Sequence, residues 1–190
     1  MNAPVKVDAK KALRISGIVK SASYKLVVID PPWPERGGGK SKRGADRHYK
    51  LLRSPWEILE VIIRSPVWAP DRKGCALGIW YTDNYLDDAR LIMEALGFSY
   101  KRQFNWHKEG RFGLGQYLRG KHESMLIGVC GRVKRLARNQ PSSISAPRRK
   151  HSEKPAQAYD ILQAVFPGPR LEMFAREQRA GWRCWGDEAG

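Results

Sequence analysis

The sequence has few cysteines, no long apolar run and few acids relative to its bases. Its three cysteines, Cys75, Cys130 and Cys184, lie far apart, so they suit neither a disulfide scaffold nor a structural zinc site. We therefore expect no metal site and a reducing compartment, the cytoplasm. No window approaches the roughly 18 apolar residues that cross a bilayer, and the amino terminus has no signal-peptide core. These two absences predict a protein that does not associate with membranes.

The charge balance points to a polyanionic partner. Lys and Arg total 35 against 19 Asp and Glu, a formal charge of +16 over 190 residues. Such an excess favours phosphate contacts with counterion release, so nucleic acid is the expected partner; a merely basic soluble protein is the alternative. With 42% hydrophobic residues, residues 1–190 suit a single domain. Within it we expect a basic amino-terminal segment at 1–23 and flexible basic loops at 35–53 and 132–151.

Apolar runs and helical patterns alternate along the chain, and this alternation predicts an α/β fold. Ser54-Pro55 is typical of a helix start, and Gly97 is typical of a helix end. The expected strands span 25–30, 75–81, 98–107, 124–129, 170–175 and 181–185, and the expected helices span 54–64, 84–96 and 153–166.

The sequence Asp30-Pro31-Pro32-Trp33 directly follows the apolar run 26–29 and is the strongest candidate for an active site. Open α/β sheets place their chemistry at the carboxyl ends of buried strands. The prolines stiffen the chain, so the carboxylate of Asp30 and the carbonyl of Pro31 form fixed acceptors for the two hydrogens of a planar exocyclic amine. Trp33 would supply a flat face for stacking a base. The alternative is an ordinary turn at a strand end.

Several motifs together resemble one enzyme family. Besides Asp30-Pro31-Pro32-Trp33, they are Lys154-Pro155 before a helix, Leu171 to Arg176, Gly181-Trp182 and Trp185 to Glu188. In this order they are similar to the adenine-N6 methyltransferases, which include the messenger-RNA adenosine methyltransferases and small bacterial and phage DNA enzymes. The resemblance covers roughly residues 24–188.

This resemblance implies a Rossmann-like class I methyltransferase fold with a mostly parallel sheet, helices on both faces and a permuted order in which the catalytic strand precedes the cofactor strand. The implied cofactor is S-adenosylmethionine, which becomes S-adenosylhomocysteine. Asp187 stands where the family usually has Asn. Its carboxylate could accept hydrogen bonds from the ribose hydroxyls, but it could not donate one as an Asn amide can. The implied cofactor-binding residues are Asp30, Lys154, Glu172, Phe174, Arg176, Asp187 and Glu188.

The implied reaction is attack of adenine N6 on the cofactor's methyl group, with Asp30, Pro31, Pro32 and Trp33 as the catalytic set. Adenine is the expected target base, because cytosine-N4 enzymes of similar type usually carry Ser in place of the acid. DNA is the expected substrate, because the short chain lacks the added RNA-binding domains of the messenger-RNA enzymes. An enzyme acting on RNA or a single strand, and a catalytically silent relative that binds nucleic acid, remain alternatives, and the oligomeric state is open. The expected nucleic-acid contacts are Arg43, Arg47, His48, Tyr49, Arg119, Lys121, His122, Arg135, Arg148 and Arg149.

Overall fold

A computed structural model describes residues 23–34, 54–113, 117–148 and 153–186. The expected basic segment at 1–23, apart from its last residue, and the whole loop at 35–53 lie outside these ranges. Along the part of the chain that is described, no helix is long and apolar enough to span a membrane. The same residues hold no group of three or more His, Cys, Asp or Glu that could bind a metal ion.

One seven-stranded sheet organises the described chain. Its strands are β1 (Leu26–Ile29), β2 (Gly74–Tyr81), β3 (Ser99–Lys108), β4 (His122–Gly131), β5 (Ser143–Ala146), β6 (Arg170–Met173) and β7 (Arg183–Trp185). They lie in the order β5-β3-β4-β2-β1-β6-β7. Every pairing is parallel except those of β4, which runs antiparallel to both β2 and β3. The α/β class with a mostly parallel sheet is therefore confirmed.

Helices cover both faces of this sheet. Helices α1 (Pro55–Arg64) and α2 (Leu86–Ala95) pack on one face, and α3 (Ala156–Val165) packs on the other. Because both faces are covered, all four residues of β1 are buried, which explains its uninterrupted apolar sequence. The helix ends match the sequence: the Ser54 hydroxyl accepts from the backbone N–H of Glu57, and Gly97 has a φ of 79° just after α2.

Strand β5 was not predicted, because the sequence indicated only a flexible basic segment between 132 and 151. In the structure, Ser143–Ala146 pairs in parallel with residues 105–108 of β3 at the edge of the sheet. This four-residue strand has only one fully buried residue, Ala146, so no alternating apolar pattern marks it in the sequence. The hydrogen bonds to β3 therefore place this segment in the sheet, because its own residues bury little apolar surface.

Candidate active site

The candidate active site lies where β1 and β6 end and α3 begins. Asp30 directly follows β1, Phe174 directly follows β6, and Lys154 lies two residues before the first residue of α3. Because β1 and β6 are parallel neighbours, their carboxyl ends open onto the same pocket, which holds about 270 Å³ including its open mouth. The pocket is lined by Asp30, Glu153, Lys154, Tyr159, Glu172, Phe174, Arg176, Glu177 and Arg179.

Two cations hold the carboxylate of Asp30, which is only 8% exposed. The ammonium nitrogen of Lys154 donates to Oδ2 of Asp30 at 2.8 Å, and Nη2 of Arg176 lies 3.8 Å from the same oxygen. Sequence analysis predicted all three residues as part of the site, and the structure brings them together. It adds a contact that was not predicted, because Lys154 reaches Asp30 itself.

Glu123 extends this charge network and was missed as a site residue. Its Oε2 lies 3.3 Å from the Lys154 nitrogen, and its Oε1 accepts a short hydrogen bond from Lys108 of β3. Burial opposes ionisation of Glu123, but the attraction of Lys154 and Lys108 outweighs it and holds the carboxyl pKa below its ordinary value. Burial likewise opposes the charge of Lys154, but Asp30 and Glu123 outweigh it and raise the lysine pKa.

Trp33 is fixed by a hydrogen bond and a stacking partner. Its indole N–H donates to the carbonyl oxygen of Trp80 at 2.9 Å, and its ring stacks on Tyr85 with centroids 5.1 Å apart and 12° between the planes. Its backbone N–H donates to the carbonyl of Pro31 at 2.8 Å. A carbonyl oxygen has two lone pairs, so Pro31 can accept a second hydrogen while this bond is made.

Glu172 lines the same pocket as Asp30 and forms a second network. It accepts a short hydrogen bond from the Tyr159 hydroxyl and lies 3.3 Å from Nε of Arg179, whose guanidinium stacks 3.6 Å from the centre of the Tyr159 ring. Burial raises the pKa of the Glu172 carboxyl, although the bonds from Tyr159 and Arg179 lower it. The pKa of the Tyr159 hydroxyl is raised well above its usual range, first by burial and then by Glu172. Sequence analysis missed Tyr159 and Arg179.

Phe174 adopts a backbone conformation that is rare for a residue with a side chain. Its φ is 58°, and its ring packs edge-on against Trp185 of β7 with centroids 5.9 Å apart. The next residue, Ala175, donates its backbone N–H to the carbonyl of Trp185 at 3.0 Å. Strained backbone of this kind persists where its surroundings fix it, and here β7 fixes the turn that carries Phe174 and Arg176 into the pocket.

The expected nucleic-acid contacts fall in different places. Arg119 and Lys121 lie on the connection from β3 to β4, and His122 is the first residue of β4. All three are at the end of the sheet where Lys108 and Glu123 approach Lys154. Arg148 packs beside this connection. Its Nη2 is so close to Gly113 that a Cβ atom added to that glycine would lie 3.2 Å from it. The predicted residues Arg43, Arg47, His48, Tyr49, Arg149, Asp187 and Glu188 lie outside the described ranges.

Arg135 lies at the opposite end of the sheet, so the structure does not bring it to the other predicted contacts. Its neighbour Leu136 donates its backbone N–H to the carbonyl of Val165, the last residue of α3, whereas Lys154 lies before the first turn of that helix. The backbone of Arg132 donates to Lys73, which precedes β2. The chain runs down β4 and back up β5, and this reversal separates Arg135 from Arg148.

Comparisons with known proteins agree with this geometry. The MT-A70 family model matches residues 24–188. The chain is 29% identical over 187 residues to the type II methyltransferase M.MunI of Mycoplasma sp., covering 87% of this chain and 77% of that protein. It is 29% identical to the N6-methyladenosine RNA methyltransferase MTA1 of Cryphonectria parasitica and 30% identical to the human N(6)-adenine-specific methyltransferase METTL4.

Each of these two comparisons covers 87% of this chain, which spans 51% of MTA1 and 37% of METTL4. The family match covers most of the sequence, and it includes both the strand that leads into Asp30 and the strand that leads into Phe174. The chain therefore belongs to the MT-A70 family of N6-adenine methyltransferases.

Proposed function

We propose that this protein is a site-specific DNA adenine-N6 methyltransferase of the cytoplasm that uses S-adenosylmethionine. The observation that carries the proposal is the placement of the Asp30 carboxylate, which stands at the carboxyl end of β1 and faces a pocket shared with Phe174 and Arg176. We further propose that the fold is the permuted class I arrangement, with β1 as the catalytic strand and β6 as the cofactor strand.

The residues of the pocket fit the proposed cofactor. S-Adenosylmethionine carries a carboxylate, an ammonium, ribose hydroxyls and an adenine, so its site needs both cations and acceptors. The lining supplies Lys154, Arg176 and Arg179 as cations and Asp30 and Glu172 as acceptors. Phe174 adds an apolar surface. From the family resemblance we also propose Asp187 and Glu188 as cofactor-binding residues. When bound, the cofactor supplies an electrophilic methyl group on a sulfonium centre.

The proposed role of Asp30 and Pro31 is to hold the target amine. The Asp30 carboxylate accepts one hydrogen of adenine N6 and the Pro31 carbonyl accepts the other, which directs the nitrogen lone pair out of the ring plane. Lys154 and Arg176 fix the position of that carboxylate. Once N6 carries the methyl group and a positive charge, one of its hydrogens passes as a proton through the Asp30 carboxylate to water, so Asp30 need not be a strong base.

Trp33 and Pro32 complete the proposed catalytic set. Tyr85 covers one face of the Trp33 indole, so an incoming adenine would stack on the other face. Pro32 keeps the chain between the acceptors and the indole stiff because its ring fixes φ. In duplex DNA the adenine must leave the base stack to reach this arrangement, at a cost of a few kcal/mol.

The comparison with M.MunI favours DNA as the substrate. The chain is 29% identical to that type II methyltransferase and spans 77% of it, whereas it spans 51% of the fungal RNA methyltransferase. The +16 charge suits the phosphate backbone of a nucleic acid, whether DNA or RNA. An RNA or single-strand adenine methyltransferase, or a silent relative that binds nucleic acid, remains the competing function.

The test is transfer of tritium from labelled S-adenosylmethionine to DNA and RNA oligonucleotides of matched sequence. We expect N6-methyladenine in DNA, abolished by Asp30→Asn and unaffected by the control Asp87→Asn, an exposed acid of α2. Transfer to RNA alone would contradict the choice of substrate. Equal activity of wild type and Asp30→Asn would contradict the mechanism, and an inactive wild type that shows no cofactor binding in calorimetry would favour the silent relative.

A further inference from the structure

The connection between β3 and β4 exposes large apolar side chains beside the candidate active site. Tyr117 is 97% exposed and Leu118 is 87% exposed, and Phe112 across the connection is 57% exposed. Single exposed apolar residues are ordinary, but a group of three at one tip indicates a surface that another molecule covers.

Cations surround this tip. The Lys121 ammonium lies 4.8 Å from the centre of the Phe112 ring, and Nε of Arg119 donates to the carbonyl of Gly113 at 3.0 Å. Arg111 and Arg148 lie beside them, while Glu109 is the acid at the base of the connection. Aromatic side chains that can stack on bases, flanked by cations that can contact phosphates, are typical of a nucleic-acid-binding surface, and the formal charge of +16 favours the same partner.

The backbone ladder of β3 and β4 continues toward the tip and links it to the site. Lys108 donates its backbone N–H to Lys121 at 2.7 Å, and Gly113 donates to Gly120 at 2.8 Å. At the base of this hairpin, Glu123 contacts Lys154, which contacts Asp30. Leu118 lies two residues beyond Gly120 toward the tip, so it belongs to the same hairpin whose base contacts the pocket.

We propose that Tyr117 and Leu118 enter the base stack of duplex nucleic acid and fill the gap that the target adenine leaves. This inference rests on the proposed function, because an unstacked adenine is what the pocket requires. Removing a base from a duplex exposes the faces of its neighbours, and inserted apolar or aromatic side chains restore the lost stacking. Phe112 holds the Lys121 side chain from the other side of the connection, and Arg119 and Lys121 contact the flanking phosphates.

The test compares a Tyr117→Ser, Leu118→Ser double variant with wild type on a duplex and on the same strand without its complement. We expect kcat/KM on the duplex to fall about tenfold or more, since stacking on one aromatic side chain contributes up to roughly a hundredfold in binding. Activity on the single strand should stay near the wild-type value, because a single strand has no gap to fill. The control is Leu136→Ser, a 53% exposed leucine at the opposite end of the sheet, which should change neither rate.

A second readout is independent of methyl transfer. With 2-aminopurine at the target position of the duplex, we expect wild type to raise the fluorescence on binding and the double variant to raise it less. An unchanged duplex rate, or an equal loss on both substrates, would overturn the inference. So would conversion of a wild-type dimer to monomers by the double variant in sedimentation, which would make the tip a protein interface. A wild type that raises the fluorescence without transferring methyl groups would contradict the proposed function and leave the insertion standing.

Discussion

Removing the positive charge of Lys154 should destabilise the protein strongly, because two buried carboxylates share it. The Lys154 side chain is 7% exposed, and it contacts Asp30 at 2.8 Å and Glu123 at 3.3 Å. Breaking a buried ion pair by deleting one partner costs about 3–5 kcal/mol. Lys108 still contacts Glu123 and Arg176 still lies 3.8 Å from Asp30, so we expect Lys154→Met to cost about 3 kcal/mol, the lower end of that range.

Urea denaturation followed by tryptophan fluorescence measures this cost as a change in midpoint at constant slope. The matched control is Lys101→Met, an exposed lysine of β3, which should change the free energy of unfolding by less than about 0.5 kcal/mol. Adding Asp30→Asn and Glu123→Gln to Lys154→Met should restore much of the loss, because the triple variant leaves none of these three charges buried. A cost below about 1 kcal/mol, or a triple variant no more stable than the single one, would refute the reasoning.

The pH dependence of this cost follows from the pKa shifts. The pKa of Glu123 is lowered from 4.5 in the folded state, so its contribution to stability is present above about pH 4.5 and is lost as pH falls through the folded value. The pKa of Lys154 is raised from 10.5, so its contribution is present below about pH 10.5 and is lost at higher pH. The difference in the free energy of unfolding between wild type and Lys154→Met should therefore be largest between about pH 4.5 and pH 10.5, and it should shrink at lower and at higher pH.

Three further changes test local features. Ser54→Ala should destabilise the protein by about 1 kcal/mol in urea denaturation, because it removes the cap of α1; no loss would contradict the capping bond. Gly131→Ala should lower the melting temperature more than Gly110→Ala. Both glycines have a positive φ, but only at Gly131 would an added Cβ meet backbone, 2.5 Å from Lys73. Equal losses of melting temperature would contradict the clash. Tyr159→Phe should raise the carboxyl pKa of Glu172 further, because the phenol bond lowers it, and a carboxyl-carbon NMR titration with no upward shift would count against that bond.

The sequence predicted the elements whose residues carry their own pattern. The buried run 26–29, the capped start at Ser54 and the stop at Gly97 are local features, and each lies where the sequence indicated. Asp30, Lys154 and Arg176 were also predicted, through motifs that are far apart in sequence and meet only in the folded sheet. That meeting requires β1 and β6 to be neighbours, which the order of the motifs along the chain did not predict and the parallel pairing of the two strands shows.

The missed features depend on pairings that no local pattern records. Strand β5 forms only because residues 105–108 offer an edge to it. Glu123 is an acid before an apolar run, and its significance appears only when β4 places it against Lys154. Arg179 contacts both Glu172 and the Tyr159 ring. Arg179 lies in a loop and Tyr159 in a helix, so the position of neither residue in the chain indicates this contact. The position of an acid just before the apolar residues of β4 was a local signal for Glu123.

The separation of Arg135 from Arg148 bears on how salt should weaken nucleic-acid binding. The eight residues of β2 span about 26 Å, so the two ends of the sheet are that far apart. When cations at the pocket end contact the phosphates of a nucleic-acid helix, they displace the ions bound to those phosphates. For each phosphate contacted, the affinity then falls by about 0.9 logarithmic units per tenfold rise in salt concentration. Arg132 and Arg135 should contribute to long-range attraction without adding to that slope. Among the described residues, only the cations at the pocket end of the sheet should therefore contribute to the measured slope.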